Sequence, residues 1–279
     1  MQPPTRRLQT ISTSAICTFG LPLDGDLAFW RRHAIEVVGV SVAKLDAFGW
    51  DAGSDLLVEA IRTDGLRVDN LIGVGPFRLD DPTQWDDQRR RLVRSLETAA
   101  RLDCSTIVFT TGPAGSLTWE QAADALEAAL EPVLSTARDL GVTVAIEHTN
   151  SLRVDVGFVH TLRDVIDLAR RLDSGVCMEL NACWAERDLA RTIRDGIDVI
   201  SLVQVSDFAV GTLSTPNRLV PGDGDIPIAT ILATLLHAGY AGSFDLELIG
   251  PRIEAEGYDT AIPRARVALG EMLATIAIT

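Results

Sequence analysis

Hydrophobic positions along the chain fall into two alternating textures. Short runs rich in Val and Ile are almost continuously apolar, whereas the longer segments between them are rich in Ala, Leu, Arg and Glu. The first texture predicts strands buried on both faces, and the second predicts amphipathic helices. The predicted strands are Leu8–Cys17, Val37–Leu45, Arg67–Ile72, Ser105–Thr110, Val142–Glu147, Gly175–Leu180, Val199–Val205 and Ser243–Leu248. Between and after them the predicted helices are Leu27–Glu36, Ser54–Asp64, Pro82–Leu102, Thr118–Leu140, Val159–Leu172, Trp184–Arg194, Ile226–Ala238 and Tyr258–Ile276. An apolar stripe of period 3.6 is clearest in the third, fourth and last of these. Asp64-Gly65, Leu140-Gly141 and Ala238-Gly239 each place a glycine just past a helical run, where a left-handed cap is wanted.

About eight strand–helix units follow one another in 279 residues, with no linker or low-complexity stretch. Strands buried on both faces and each followed by a helix form a parallel sheet. Eight units close that sheet, so the expected architecture is α/β, a single-domain (β/α)8 or TIM barrel over residues 1–279. A doubly wound open sheet would want a glycine-rich loop after its first strand. Cys17-Thr18-Phe19-Gly20-Leu21-Pro22 contains no GxGxxG, and Gly73-Val74-Gly75 is too short to serve.

In such a barrel the chemistry sits at the C-terminal strand ends, and alternate residues face opposite sides. Val142, Val144 and Ile146 form one apolar face, which leaves Glu147 on the other with Thr143 and Ala145. By the same alternation Glu179 points inward with Cys177, Glu247 points inward with Asp245, and Gln204 lies opposite Val203 and Val205. Any one of these is equally read as a solvated strand end. Four with matching parity are not. Three carboxylates converging in a barrel mouth repel one another and lose hydration unless a cation sits among them. Glu, Glu, Gln and Glu are hard oxygen donors, suited to Mg²⁺ or Mn²⁺.

Composition narrows the function classes. The net charge of −14 and a pI near 4.7 argue against a phosphodiester partner. No run of 18 apolar residues reads as a membrane span, and Met1–Thr10 has no apolar signal-peptide core. Cys17, Cys104, Cys177 and Cys183 form no CxxC pair, and read as reduced thiols of a cytoplasmic protein. Of the 25 basic residues 24 are Arg and one, Lys44, is Lys.

The run Ile146-Glu147-His148, Cys177-Met178-Glu179, Gln204-Val205-Ser206-Asp207, Asn217-Arg218-Leu219-Val220-Pro221-Gly222-Asp223-Gly224 and Asp245-Leu246-Glu247 resembles the sugar-phosphate isomerase/epimerase family with its xylose isomerase-like barrel. Ketose 3-epimerases and hydroxypyruvate isomerase belong to it, and the endonuclease IV repair enzymes are more remote relatives. The resemblance covers nearly the whole chain in the order of its elements, and is most specific from Val142 to Glu247. It implies one divalent cation, Mn²⁺ or Mg²⁺, held by Glu147, Glu179, Gln204 and Glu247. It also implies Glu147 and Glu247 as the acid/base pair and Arg218 as a ligand of substrate oxygens. The expected reaction is isomerisation or epimerisation of a keto-sugar or related α-hydroxycarbonyl compound through an enediolate. A dehydratase or lyase and a non-catalytic ligand-binding barrel stay open as alternatives. The implied partner is a small sugar-like substrate, with no nucleic acid and no membrane; members of the family often pair as homo-oligomers.

The sequence departs from the family pattern at Glu179, where Asp is usual, at Gln204, where His is commonest, and at Ala182, where a substrate-binding His is frequent. Asn181 or Trp184 is the expected replacement for that His. Lys44, read at the end of the second strand, is open between a substrate contact, an ion pair and a Schiff-base nucleophile. Asp207 is open between a second ion, orientation of Arg218 and a solvated loop position. The stretch Ala209–Val220 reads as a long loop over the mouth, a candidate lid. His148 points away from Glu147 by parity and reads as structural.

Overall fold

Eight parallel strands pair in sequence order and close on themselves, the eighth hydrogen-bonding to the first. They are β1 (Ile11–Ser14), β2 (Val37–Ser41), β3 (Arg67–Val74), β4 (Thr106–Thr110), β5 (Thr143–Glu147), β6 (Gly175–Glu179), β7 (Ile200–Val205) and β8 (Ser243–Leu246). The structure is a computed structural model that describes residues 9–278. Leu8 and most of Met1–Thr10 lie outside the described residues. The helices are α1 (Leu23–Arg32), α2 (Val42–Phe48), α3 (Trp50–Asp64), α4 (Trp85–Arg101), α5 (Trp119–Leu140), α6 (Leu162–Leu172), α7 (Leu180–Cys183), α8 (Leu189–Gly196), α9 (Ile228–His237), α10 (Pro251–Glu256) and α11 (Tyr258–Ile278). The closed (β/α)8 barrel expected from the pattern is the observed fold.

Local signals set several boundaries. Gly65 and Gly141 adopt φ of 68° and 67° after α3 and α5, the left-handed caps that their positions predict. Thr118 and Gln121 form a reciprocal capping box at the start of α5. Elsewhere packing overrides the pattern. The predicted strand Val37–Leu45 stops at Ser41, and Val42 begins α2, fully buried despite its β-branch. The predicted strand Leu8–Cys17 stops at Ser14, whose hydroxyl accepts the Ile16 N–H and starts a 3-10 turn over Ala15–Thr18. The predicted helix Trp184–Arg194 starts later, as α8 at Leu189, and a separate short helix, α7, follows β6 directly from Leu180.

One large core lies between the strands and the surrounding helices. A second, inside the barrel, consists of Ile72, Val108, Ala145, Cys177 and Leu202, with Ile16 packed on it. Ala145, Cys177 and Leu202 stand two residues before Glu147, Glu179 and Gln204. The two-residue strand period therefore lifts those polar side chains to the same inner face, one layer above an apolar floor. Burying a side chain of Leu, Ile or Val size is worth roughly 1.5–3 kcal/mol.

Candidate active site

Glu147 ends β5, Glu179 ends β6 and Glu247 follows β8. One carboxylate oxygen from each lies within 4.8 Å of the other two, a group able to hold a metal ion. Gln204 of β7 pairs in register with Glu179, is fully buried, and leaves both amide atoms without a hydrogen-bond partner. The three carboxylates face a cavity of about 220 Å³, lined also by Asn181, Arg218, Arg153, Thr149, Asn150 and Thr110. Its other wall is apolar, formed by Ile16, Phe19, Ile72, Val156, Pro216 and Ile249.

Arg218 is the cation that bonds the carboxylates directly. Its guanidinium Nη1 donates to Glu179 Oε2, to Glu247 Oε2 at 3.2 Å and to the Glu247 carbonyl at 3.4 Å. Glu179 is doubly engaged, because its Oε1 accepts the Asn181 N–H at 2.9 Å and so caps α7. The Arg218 backbone is pinned: its N–H donates to Ile249 O at 3.0 Å, and its neighbour Leu219 exchanges two 2.9 Å bonds with Asp207. The Asp207 carboxylate in turn accepts four backbone N–H groups, from Phe208, Gly222, Gly224 and Ile226, at 2.8–3.0 Å. Gly224 is required there, since a Cβ would lie 2.4 Å from Asp207 Oδ1.

Charge crowding perturbs the acids. Burial, reinforced by repulsion from Glu247 and Glu179, pushes the Glu147 carboxyl well above the usual carboxylate range. Burial likewise raises Glu179, to about 7, although Arg218 pulls the other way. Burial opposes the charge on Arg218, but Glu179, Glu247 and Glu147 outweigh it and hold the guanidinium protonated.

Of the residues expected from sequence, Glu147, Glu179, Glu247, Arg218 and Asn181 meet at one cavity, and Gln204 lies buried beside Glu179. Lys44 does not join them. Because Val42 starts a helix, Lys44 turns back into the wall of the barrel. There its Nζ donates at 2.8 Å to Ala15 O, Thr18 O and both Asp26 carboxylate oxygens. Its charge is spent on an ion pair, which corrects the substrate-contact reading. Asp207 is likewise spent on backbone and shapes the segment that carries Arg218. Trp184 packs against the main core, and His148 is fully buried, with its pKa lowered to about 4 by burial. The loop read as a lid contributes Thr215 and Pro216 to the cavity. Sequence reasoning missed Arg153, Ile16, Phe19 and Thr110. Only Thr110 carried a signal: it ends a strand and pairs in register with Glu147.

The profile of the family described as xylose isomerase-like TIM barrel matches residues 29–267. The chain belongs to that family. An inosose isomerase of Halalkalibacterium halodurans is 26% identical over 134 residues, which is 47% of this chain and 48% of that protein. The chain thus aligns with about half the length of this curated relative. Among solved structures, the IolI protein with a bound zinc atom superposes with a TM-score of 0.83 at 17% identity, over 96% of this chain and 99% of the other. An L-ribulose 3-epimerase superposes with a TM-score of 0.75 at 18% identity, over 97% and 96%. At such identities the superpositions speak for the fold.

Proposed function

We propose that the protein is a divalent-metal-dependent isomerase or epimerase of a small keto-sugar or related α-hydroxycarbonyl compound. The observation that carries this reading is the convergence of Glu147, Glu179 and Glu247 on one cavity, beside a buried Gln204 whose amide oxygen has no protein partner. A buried acceptor left unpaired is rare, and a cation among these oxygens satisfies it and relieves the carboxylate repulsion together. The donor set fits a hard divalent ion such as Mn²⁺ or Mg²⁺, with Glu147, Glu179, Gln204 and Glu247 as the residues that would hold it. When bound, such an ion supplies Lewis-acid stabilisation of the negative charge that develops on substrate oxygens.

The chain supplies the proton chemistry and the fit. Glu147 ends β5 and Glu247 follows β8, three strands further round the barrel, so they can address a substrate carbon from two directions. One takes the α-proton, and the other returns a proton to the opposite face or to the neighbouring carbon. Burial favours a proton on Glu147 and a bound cation would oppose it, so the two together would set how readily it takes and returns one. Arg218 and Asn181 orient substrate oxygens. The apolar wall of Ile16, Phe19, Ile72 and Ile249 covers the opposite side of the substrate and excludes water. The cavity of about 220 Å³ suits a small polar ligand. The similarity to an inosose isomerase and to an L-ribulose 3-epimerase supports the same substrate class.

The test is solvent-deuterium exchange into a panel of ketoses and keto-cyclitols with Mn²⁺-loaded protein, followed by NMR. Glu147→Gln and Glu247→Gln are each expected to slow exchange by about 10²–10⁴-fold. Exchange that survives both substitutions contradicts the assignment of the acid/base pair.

A further inference from the structure

We propose that Arg218 is the resident counter-ion of the carboxylate cluster, and that a divalent cation entering the cluster drives its guanidinium off Glu179 and into the cavity. Metal loading and the presentation of Arg218 to substrate are then one coupled event. The inference rests on the metal-dependent reading above and adds to it an internal competitor for the site.

The geometry leaves little room for both positive groups as they stand. Nη1 of Arg218 bonds Glu179 Oε2 and Glu247 Oε2, two of the three carboxylates that a cation needs. Both oxygens of Glu179 are already engaged, Oε2 by Arg218 and Oε1 by the Asn181 N–H. No hydrogen bond from Arg218 to Glu147 accompanies these among the described residues. The cluster is thus held from one side only, with its third carboxylate facing the cavity.

The fold decides which part of Arg218 can move. Its backbone is fixed by the bond to Ile249 O and by the Asp207–Leu219 pairing, so the change is confined to the side chain. That side chain borders the cavity, and Thr215 and Pro216 of its own segment line the same space. On leaving Glu179 the guanidinium therefore turns toward bound substrate. The fixed backbone and the neighbouring carboxyl groups keep it nearby. By thermodynamic reciprocity, a ligand that grips the freed guanidinium tightens metal binding by the factor with which metal tightens the ligand.

Two measurements test this with Mn²⁺ alone as the probe. In the first, free Mn²⁺ is followed by electron paramagnetic resonance during titration of wild type and Arg218→Gln, each first shown to be folded by thermal melting in chelator. Removing the competitor is expected to tighten Mn²⁺ binding at least tenfold. The second needs no variant: phenylglyoxal modification of the arginines is mapped by mass spectrometry with and without Mn²⁺. Arg218 is expected to gain reactivity on metal addition, while arginines in surface ion pairs such as Arg62 and Arg264 stay unchanged. Equal or weaker Mn²⁺ binding in the variant overturns the proposal, and so does constant or reduced reactivity of Arg218 in metal-loaded wild type. Failure of both proteins to bind Mn²⁺ is a different result, and sinks the metal-dependent reading itself.

Discussion

Lys44 is held by four oxygens that converge at 2.8 Å on one nitrogen. An ammonium is a compact point donor and fits such a cage, whereas a planar guanidinium spreads its donors over a fork. This accounts for one lysine among 24 arginines at this position. The pair does structural work near the site, because Ala15 and Thr18 bound the 3-10 turn that carries Ile16 and leads to Phe19 in the cavity wall. Burial raises the Asp26 carboxyl from 3.8 to about 6, despite help from Lys44 and Thr18. A carboxyl whose folded pKa is raised binds its proton more tightly folded than unfolded, so its contribution to stability is full at low pH and is lost as pH rises through the folded value. The interval from 3.8 to about 6 corresponds to roughly 3 kcal/mol. Asp26→Asn/Lys44→Met removes that titration. Urea unfolding should therefore find the stability of wild type relative to the double variant falling by roughly 2 kcal/mol between pH 4 and pH 7. A difference that is flat with pH contradicts the assignment.

Elements explain what the sequence makes legible and what it hides. Strand parity is legible because side chains alternate strictly along a strand, and it placed Glu147, Glu179 and Gln204 above the inner floor of Ala145, Cys177 and Leu202. The end of β2 was hidden. Val42, Ala43 and Leu45 read as strand, but the buried Lys44–Asp26 pair and packing of Val42 and Leu45 favour a helix. Loop contributions such as Arg153 and Phe19 were hidden for another reason, since loops carry no period. The contact of Arg218 with Glu179 spans 39 residues and depends on how the barrel closes, so no local pattern announces it. The segment from Asp207 to Ile226 supports a prediction at this scale. In Asp207→Asn one acceptor oxygen becomes a donor that faces backbone N–H groups, at a penalty of about 1–3 kcal/mol. Limited proteolysis is expected to cut between residues 207 and 226 faster than in wild type. An unchanged cleavage pattern would mean that the segment holds itself without the carboxylate.

At the scale of the whole molecule, stability and function draw on different parts of one barrel. The two apolar cores lie around and beneath the strands, while the many exposed Arg–Asp pairs on the helices, such as Arg94–Asp51 and Arg101–Asp55, are each worth about 0–1 kcal/mol. The mouth carries the frustration: three carboxylates, a buried guanidinium and an unpaired Gln204. No helix among the described residues is long and apolar enough to cross a membrane. The central claim is that this mouth is a divalent-cation site. Its most direct test is elemental analysis of protein purified without chelator or added metal, followed by Mn²⁺ titration of whatever sites are empty. About one divalent ion per chain, bound as isolated or on titration and lost in Glu179→Ala, is the predicted result. No ion in the purified protein, and none taken up from Mn²⁺, would contradict the account.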